Sequence, residues 1–218
     1  MENQPANNGE ANPDFVAAWV TAWAFARGFA APVPFPGGLR VDVGTEAERV
    51  RYVLFRPDAA MISQLAAAET RLNAFIKVCA AATEVAPHLP PAWRLHGPQH
   101  LMTAAIAPQP DRPLAAGYYA AATNRAPVLH AVIKDGSGRI VASGRLVLIG
   151  RYGIVDEINT EPDHRRRRLA TRIVADLMQM GSLAGAKIGL LVATSDGHGL
   201  YAKMGWEVHC PYTSAYNI

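Results

Sequence analysis

The chain reads as a mixed α/β protein, and three observations predict this. Residues 128–134 and 140–149 are strand-like runs joined by Asp135-Gly136-Ser137-Gly138, a hairpin signal. Leu169, Ala170, Ile173, Val174, Leu177 and Met178 fall on one face at helical spacing, with Thr171, Arg172, Asp176 and Gln179 opposite. Half of the 218 residues are hydrophobic and no repeats are evident, which supports a sizeable core and excludes disordered and fibrous classes.

Taken in order, residues 1–12 are polar and Asn/Pro-rich and read as a flexible tail. Asp14 is the expected N-cap of a helix carrying Phe15, Trp19, Ala22, Trp23 and Ala26, closed by Gly28. The Pro-rich stretch 31–38 excludes helix and central strand, because proline lacks the N–H donor and fixes φ. Strands are expected over 39–43 and 50–56, a helix over 59–68 opened by Pro57-Asp58, a strand over 75–80, a short helix over 83–89 and a strand over 101–106. Pro108, Pro110 and Pro113 mark a boundary between a region 13–110 and a region 111–218. In the second region a third strand over 153–160 ends at Pro162, and the amphipathic helix is closed by Gly181 and Gly185. A buried strand follows over 188–194, then a short helix over 199–204 capped by Gly205, then a last strand.

The formal net charge is +3, from 17 Arg and 4 Lys against 18 acidic residues. Arg165, Arg166, Arg167, Arg168 and Arg172 alone supply +5, so the rest of the chain sums to −2. The basicity is one local feature. The start lacks a positively charged region followed by an apolar core, so it does not read as a secretory signal. The early apolar stretch 15–26 falls short of the roughly 20 residues a membrane span needs. Cys79 reads as a buried small hydrophobe, and no disulfide with Cys210 is expected. The default location is therefore cytoplasmic.

Four arginines between a strand end and a helix start oppose the helix dipole by about 0.3–1 kcal/mol each. A bound anion reverses that sign, since the free N–H groups and the dipole both favour negative charge and Arg adds charge-assisted bonds. The run is either a phosphate or pyrophosphate site or a solvated basic turn.

The segment Glu161-Pro162-Asp163-His164-Arg165-Arg166-Arg167-Arg168-Leu169-Ala170 resembles the acyl-CoA loop of the GNAT superfamily of N-acetyltransferases, whose pattern Arg/Gln-x-x-Gly-x-Gly/Ala runs here from Arg165 to Ala170. Leu200-Tyr201-Ala202-Lys203-Met204-Gly205-Trp206 is similar to the same family's Leu-Tyr-x-x-x-Gly-Phe element. The resemblance covers residues 126–210 and departs at Arg168, which stands where the family has glycine. It implies a central mixed sheet flanked by helices, with an N-terminal α/β extension or subdomain. It also implies acetyl-CoA as co-substrate and a small-molecule amine as acceptor. Backbone N–H groups of Arg166, Arg167, Arg168, Leu169 and Ala170 would surround the pyrophosphate, with Arg165 and Thr171 also in the cofactor site, and Ile158, Asn159 and Thr160 would pair with the pantetheine arm. Tyr201 would protonate the departing thiolate. Asp156 or Glu157 would take the proton from the acceptor. Strand alternation places these two on opposite faces, with Asp156 preferred.

Two other functions compete with this reading. One is a degenerate acyl-CoA-binding or protein-interaction module without turnover. The other is nucleic-acid binding through the Arg run, disfavoured because the cluster is short and the remainder is net acidic. His88, His96 and His100, spaced 8 and 4 apart, match no compact metal motif and read as loop or core residues. His198 precedes the Tyr201 helix, and an approach to the cleft is open. Ser195-Asp196-Gly197-His198 holds the residue types of a hydrolase triad without a nucleophile elbow. Phe15, Trp19 and Trp23 are core or a homodimer surface.

Overall fold

A computed structural model describes residues 11–110 and 112–217; the first ten residues of the expected tail lie outside the described residues. In chain order the elements are α1 (Pro13–Ala26), β1 (Val33–Phe35), β2 (Gly38–Asp42), β3 (Val50–Leu54), α2 (Ala59–Ala68), β4 (Ala74–Val78), α3 (Ala82–Val85), β5 (Trp93–Leu95) and β6 (Gln99–Ala105). They continue with β7 (Tyr119–Arg125), β8 (Val128–Lys134), β9 (Ile140–Ile149), β10 (Tyr152–Thr160), α4 (Leu169–Leu183), β11 (Ile188–Thr194), α5 (Ser195–Lys203) and β12 (Glu207–Asn217). Among the described residues no helix is long and apolar enough to cross a membrane. The described residues form two compact units, one from 11–102, 192–199 and 208–217, the other from 103–110, 112–191 and 200–207.

The first unit is a mixed sheet in the order β1-β2-β3-β4-β12, with β5 also paired to β12. Strands β3 and β4 run parallel and pair at all five positions, from Val50↔Ala74 to Leu54↔Val78. Residues on a strand alternate faces, so Val50, Leu54, Ile76 and Val78 meet Ile62 and Ala66 of α2, while Arg51 faces α1. There the Arg51 guanidinium lies 3.4 Å over the Trp23 ring and Glu48 accepts its Nε and Nη2. Phe15, Trp19 and Trp23 are all buried, which accounts for the aromatic stripe as core of this unit. The N-cap of α1 is Asn12, not Asp14: its side chain accepts the Asp14 N–H and Pro13 takes the first helical position, where no N–H is needed. Lys77 is buried with its Nζ 2.5 Å from Ser214 Oγ. Cys79 and Cys210 are free and buried beside each other, so the fold brings together two thiols distant in sequence.

In the second unit the order is β6-β11-β10-β9-β8-β7. Strands β7 to β10 are successively antiparallel, and β10 runs parallel to β11. The hairpin between β8 and β9 is held by Asp135, whose Oδ1 accepts from the Ser137 N–H, the Ser137 hydroxyl and the Arg139 N–H. Helix α4 buries Leu169, Ile173, Val174, Leu177 and Met178 against β8, β9 and β10. Close packing requires Gly144 on β9: a Cβ there would stand 2.4 Å from Ile158 Cδ1 and 2.7 Å from Ile173 Cγ2. Gly181 does not end the helix. It is buried inside it, and the stop comes at Gly185, whose φ is +87°.

Both units follow one plan, an antiparallel pair, then a helix, then a strand parallel to the second of the pair. In the first unit these are β2, β3, α2 and β4, in the second β9, β10, α4 and β11.

Candidate functional site

The two copies of this plan differ where a site can form. Strands β10 and β11 pair only from Tyr152↔Ile188 to Ile154↔Leu190. Beyond Ile154, β10 stays on β9 as far as Thr160, with a bulge between Asp156 and Asn159. Its end, over Ile158 to Thr160, lies beyond the pairing with β11, where strand backbone can meet a strand-like ligand. The bulge comes with Glu157 at φ +53°. It also overturns the alternation expected for the acidic pair. A bulge adds a residue without a partner, and Asp156 and Glu157 converge on one guanidinium. Arg145 Nη2 lies 2.7 Å from Asp156 Oδ2 and 2.9 Å from Glu157 Oε1, and its Nε donates to Asp156 at 3.1 Å. The Arg145 and Asp156 side chains are mostly buried, while Glu157 is 48% exposed.

After β10 a single 3-10 turn, Pro162–His164, leads into the arginine run. Arg166 and Arg168 both adopt φ +61°, and Arg168 is the N-cap of α4 with no side-chain cap bond. Among the described residues the amides of 166–171 have no acceptor, because the first turn of a helix leaves its N–H groups unbonded. Alternating left-handed residues fold such amides into a concavity that accepts an anion. Leu169 is buried beneath the loop, Ala170 and Thr171 continue the first turn, and the side chains of Arg165 to Arg168 stand in solvent. Arg165 Nε donates to the Thr160 carbonyl at 3.3 Å and Arg167 Nη1 to Tyr118 Oη at 2.8 Å. Arg166 and Arg168 make no side-chain bond among the described residues. Ile158 is half-buried under Gly144, while Asn159 is exposed and Thr160 half-buried at the strand end.

Tyr201 lies on α5, which begins at Ser195, earlier than the expected 199. Gly205 at φ +85° lets the chain reverse, so the Trp206 N–H reaches the Tyr201 carbonyl at 3.1 Å and the two rings meet edge to face at 5.9 Å. Trp206 in turn fills the space over Gly189, where a Cβ would stand 2.8 Å from its ring. Burial, and after it the negative charge of Asp156, push the Tyr201 phenol up to about 12. Asp156 and Tyr201 therefore belong to one electrostatic site.

The other candidates lie apart from this cluster. His96 stacks near Phe75 and Tyr216, and His198 faces His100 with ring centroids 5.0 Å apart. Ser195 is tied to the Pro98 carbonyl. Two residues escaped sequence reasoning. Arg145 left a trace, a lone cation in a strand otherwise apolar from 146 to 149, but its acidic partners lie across the sheet. Tyr118, which binds both His164 and Arg167, left none.

The loop and the end of β10 could hold a ligand with a polyphosphate and an extended amide arm: the loop N–H donors and exposed cations suit the first, the strand backbone of 158–160 the second. The acetyltransferase (GNAT) family profile matches residues 85–206, more than half of the chain. No curated protein matches in sequence. Among solved structures, a GCN5-related N-acetyltransferase from Kribbella flavida superposes with TM-score 0.67 at 16% identity, covering 93% of this chain and 95% of that one. A GCN5-related N-acetyltransferase from Sphaerobacter thermophilus gives 0.61 at 12% identity over 94% and 93%. A tandem GNAT protein from the clavulanic acid biosynthesis pathway gives 0.54 at 12% identity over 93% and 94%. These likenesses extend the agreement in fold to nearly the whole chain, and with the profile match they lead to one conclusion: the chain belongs to the acetyltransferase (GNAT) family.

Proposed function

We propose that the chain transfers an acetyl group from acetyl-CoA to the primary amine of a small-molecule or amino-acid-like acceptor, by direct attack in a ternary complex. The observation that carries this reading is the combination, within one unit, of a β10 end beyond its pairing with β11 and an anion cradle opening α4. Acetyl-CoA supplies an acyl group already activated as a thioester. The N–H groups of 166–171 would hold its pyrophosphate, with the guanidinium groups of Arg165 to Arg168 adding charge. The backbone of Ile158, Asn159 and Thr160 would align the pantetheine arm.

Tyr201 suits a donor role at the leaving sulfur. A phenol near 12 remains protonated across the physiological range, and Asp156 helps to keep it so. Complete transfer to a thiolate of ordinary pKa, about 8.5, would be uphill by about 3–4 pH units. The phenol therefore acts chiefly by donating a hydrogen bond to the developing charge, with full transfer completed as the product leaves. Asp156 is engaged by two Arg145 donors on its Oδ2, which occupies an oxygen that a base would use. Glu157 is the more exposed of the two, which places it better to meet the acceptor's ammonium directly or through water.

The test is thiol release from acetyl-CoA across a panel of primary amines. Wild type is expected to release thiol with at least one amine, and Tyr201→Phe to lower kcat about 100-fold or more with little change in acetyl-CoA affinity. Unchanged kcat removes Tyr201 from the mechanism. A second reading, a binding module without turnover, draws on the left-handed Arg168 and the Arg145-clamped Asp156; binding with no thiol release for any amine would select it.

A further inference from the structure

Residues 106–118 run from β6 to β7 and end at a tight turn, where Gly117 adopts φ +85° and the Tyr118 N–H bonds the Ala115 carbonyl. The turn presents Tyr118 to the arginine loop. Its Oη accepts Arg167 Nη1 at 2.8 Å and lies 2.9 Å from His164 Nδ1. Guanidinium can only donate, and the Tyr118 hydroxyl keeps its proton and a second lone pair, so it can bond His164 Nδ1 in either tautomer. Arg167 is further tied by Nη2 to the Asp163 carbonyl at 3.3 Å. One phenol thus clasps the residue before the arginine run and a residue within it. It does so on a loop with two left-handed residues that no side-chain cap supports.

We propose that Tyr118 is a positioning residue for the anion loop, holding His164 and Arg167 so that the 166–171 amides are arranged before the polyphosphate arrives. This rests on the acyl-CoA reading above and adds to it a residue outside both recognisable motifs. The Tyr118 ring is half-buried and meets the His164 ring edge to face at 5.8 Å. Tyr118→Phe keeps that packing and removes only the oxygen. Without it, two side chains must be ordered during binding, which weakens affinity by about three- to tenfold.

The experiment is calorimetric titration of free CoA into wild type, Tyr118→Phe, Arg167→Ala and the double variant, with melting temperature and steady-state kinetics alongside. The expected result is a Kd raised about three- to tenfold in Tyr118→Phe, a matching rise in KM for acetyl-CoA, kcat within about twofold and an unchanged melting temperature. The double variant should be weaker than Arg167→Ala by clearly less than the Tyr118→Phe effect, because the two residues act in one chain. Wild-type affinity in Tyr118→Phe, additivity in the double variant, or a Kd change that tracks a fall in melting temperature would each overturn the inference alone. Failure of wild type to bind CoA would overturn the acyl-CoA reading and this inference with it.

Discussion

Arg168 stands at φ +61° and ψ +17°, a left-handed position that costs an L-residue with a Cβ about 1–2 kcal/mol. Its side chain makes no bond among the described residues and is exposed, so truncation loses no contact. Arg168→Ala keeps the Cβ, and with it the backbone strain. Arg168→Gly removes the strain but adds about 0.5–1 kcal/mol of unfolded-chain entropy. The Gly variant should therefore exceed the Ala variant in stability by about 0.5–1 kcal/mol. For a chain of this length that is a melting-temperature difference of about 1–4 °C. Both variants lose the same guanidinium, so the comparison cancels charge effects, and melts at high and low salt would expose any residue of them. Acetyl-CoA affinity should follow the same order, since a glycine lets the backbone approach the pyrophosphate. An Ala variant as stable as the Gly variant would refute the claim that this loop is strained at residue 168.

Three further outcomes follow from the geometry. Lys77 is buried, and desolvation lowers its pKa from the ordinary lysine value to about 7, with Arg51 adding to the effect. Between about pH 7 and 8.5 the unfolded chain binds a proton that the folded one does not, so stability should rise with pH by about 1.4 kcal/mol per unit from this group. Above that window the raised thiol of Cys79 works in the opposite direction. Urea unfolding at pH 7 and 8.5 should show the rise in wild type and its loss in Lys77→Met; equal slopes would remove Lys77 as the source. Gly144→Ala overpacks the α4 contact and should cost about 1–3 kcal/mol in thermal or urea unfolding. Arg145→Met removes the cation that Asp156 and Glu157 share, and kcat for thiol release should fall about tenfold or more; an unchanged kcat would place the pair outside the mechanism.

Much of the second unit was legible because its signals are local. Six apolar residues at helical spacing mark α4, a four-residue Asp/Gly/Ser turn marks β8–β9, and Gly205 marks the reversal that seats Trp206 under Tyr201. Strand β7 was missed because it is exposed along all seven residues and so shows no alternation. The N-cap of α1 lies two residues before the expected Asp14, because Asn12 and Asp14 are both good capping residues and Pro13 at the first helical position selects Asn12. The features that shape the site were not legible, and all of them are matters of register. These are the early end of β10–β11 pairing, the bulge at Asp156, Arg145 across the sheet and Tyr118 beside the loop. The common plan of the two units is likewise invisible in sequence. Where the second copy has Arg168 and a left-handed turn, the first has Pro57 and Asp58, whose carboxylate already accepts the Met61 N–H at the start of α2.

That contrast bears on the central claim. In the first unit β3 and β4 are paired throughout and the helix N-terminus is filled by an acidic cap, so neither arm of an acyl-CoA has a place there. In the second, β10 runs on past its pairing with β11 and no side chain caps α4, the two features on which the acyl-CoA proposal rests. Calorimetric titration of the full chain with acetyl-CoA at concentrations approaching about 1 mM, a weak-binding range of about 4 kcal/mol, is the most direct measurement. One site per chain is predicted, weakened by replacing Arg165, Arg166 and Arg167 and unaffected by Asp58→Ala. No binding, or two sites per chain, would contradict the account.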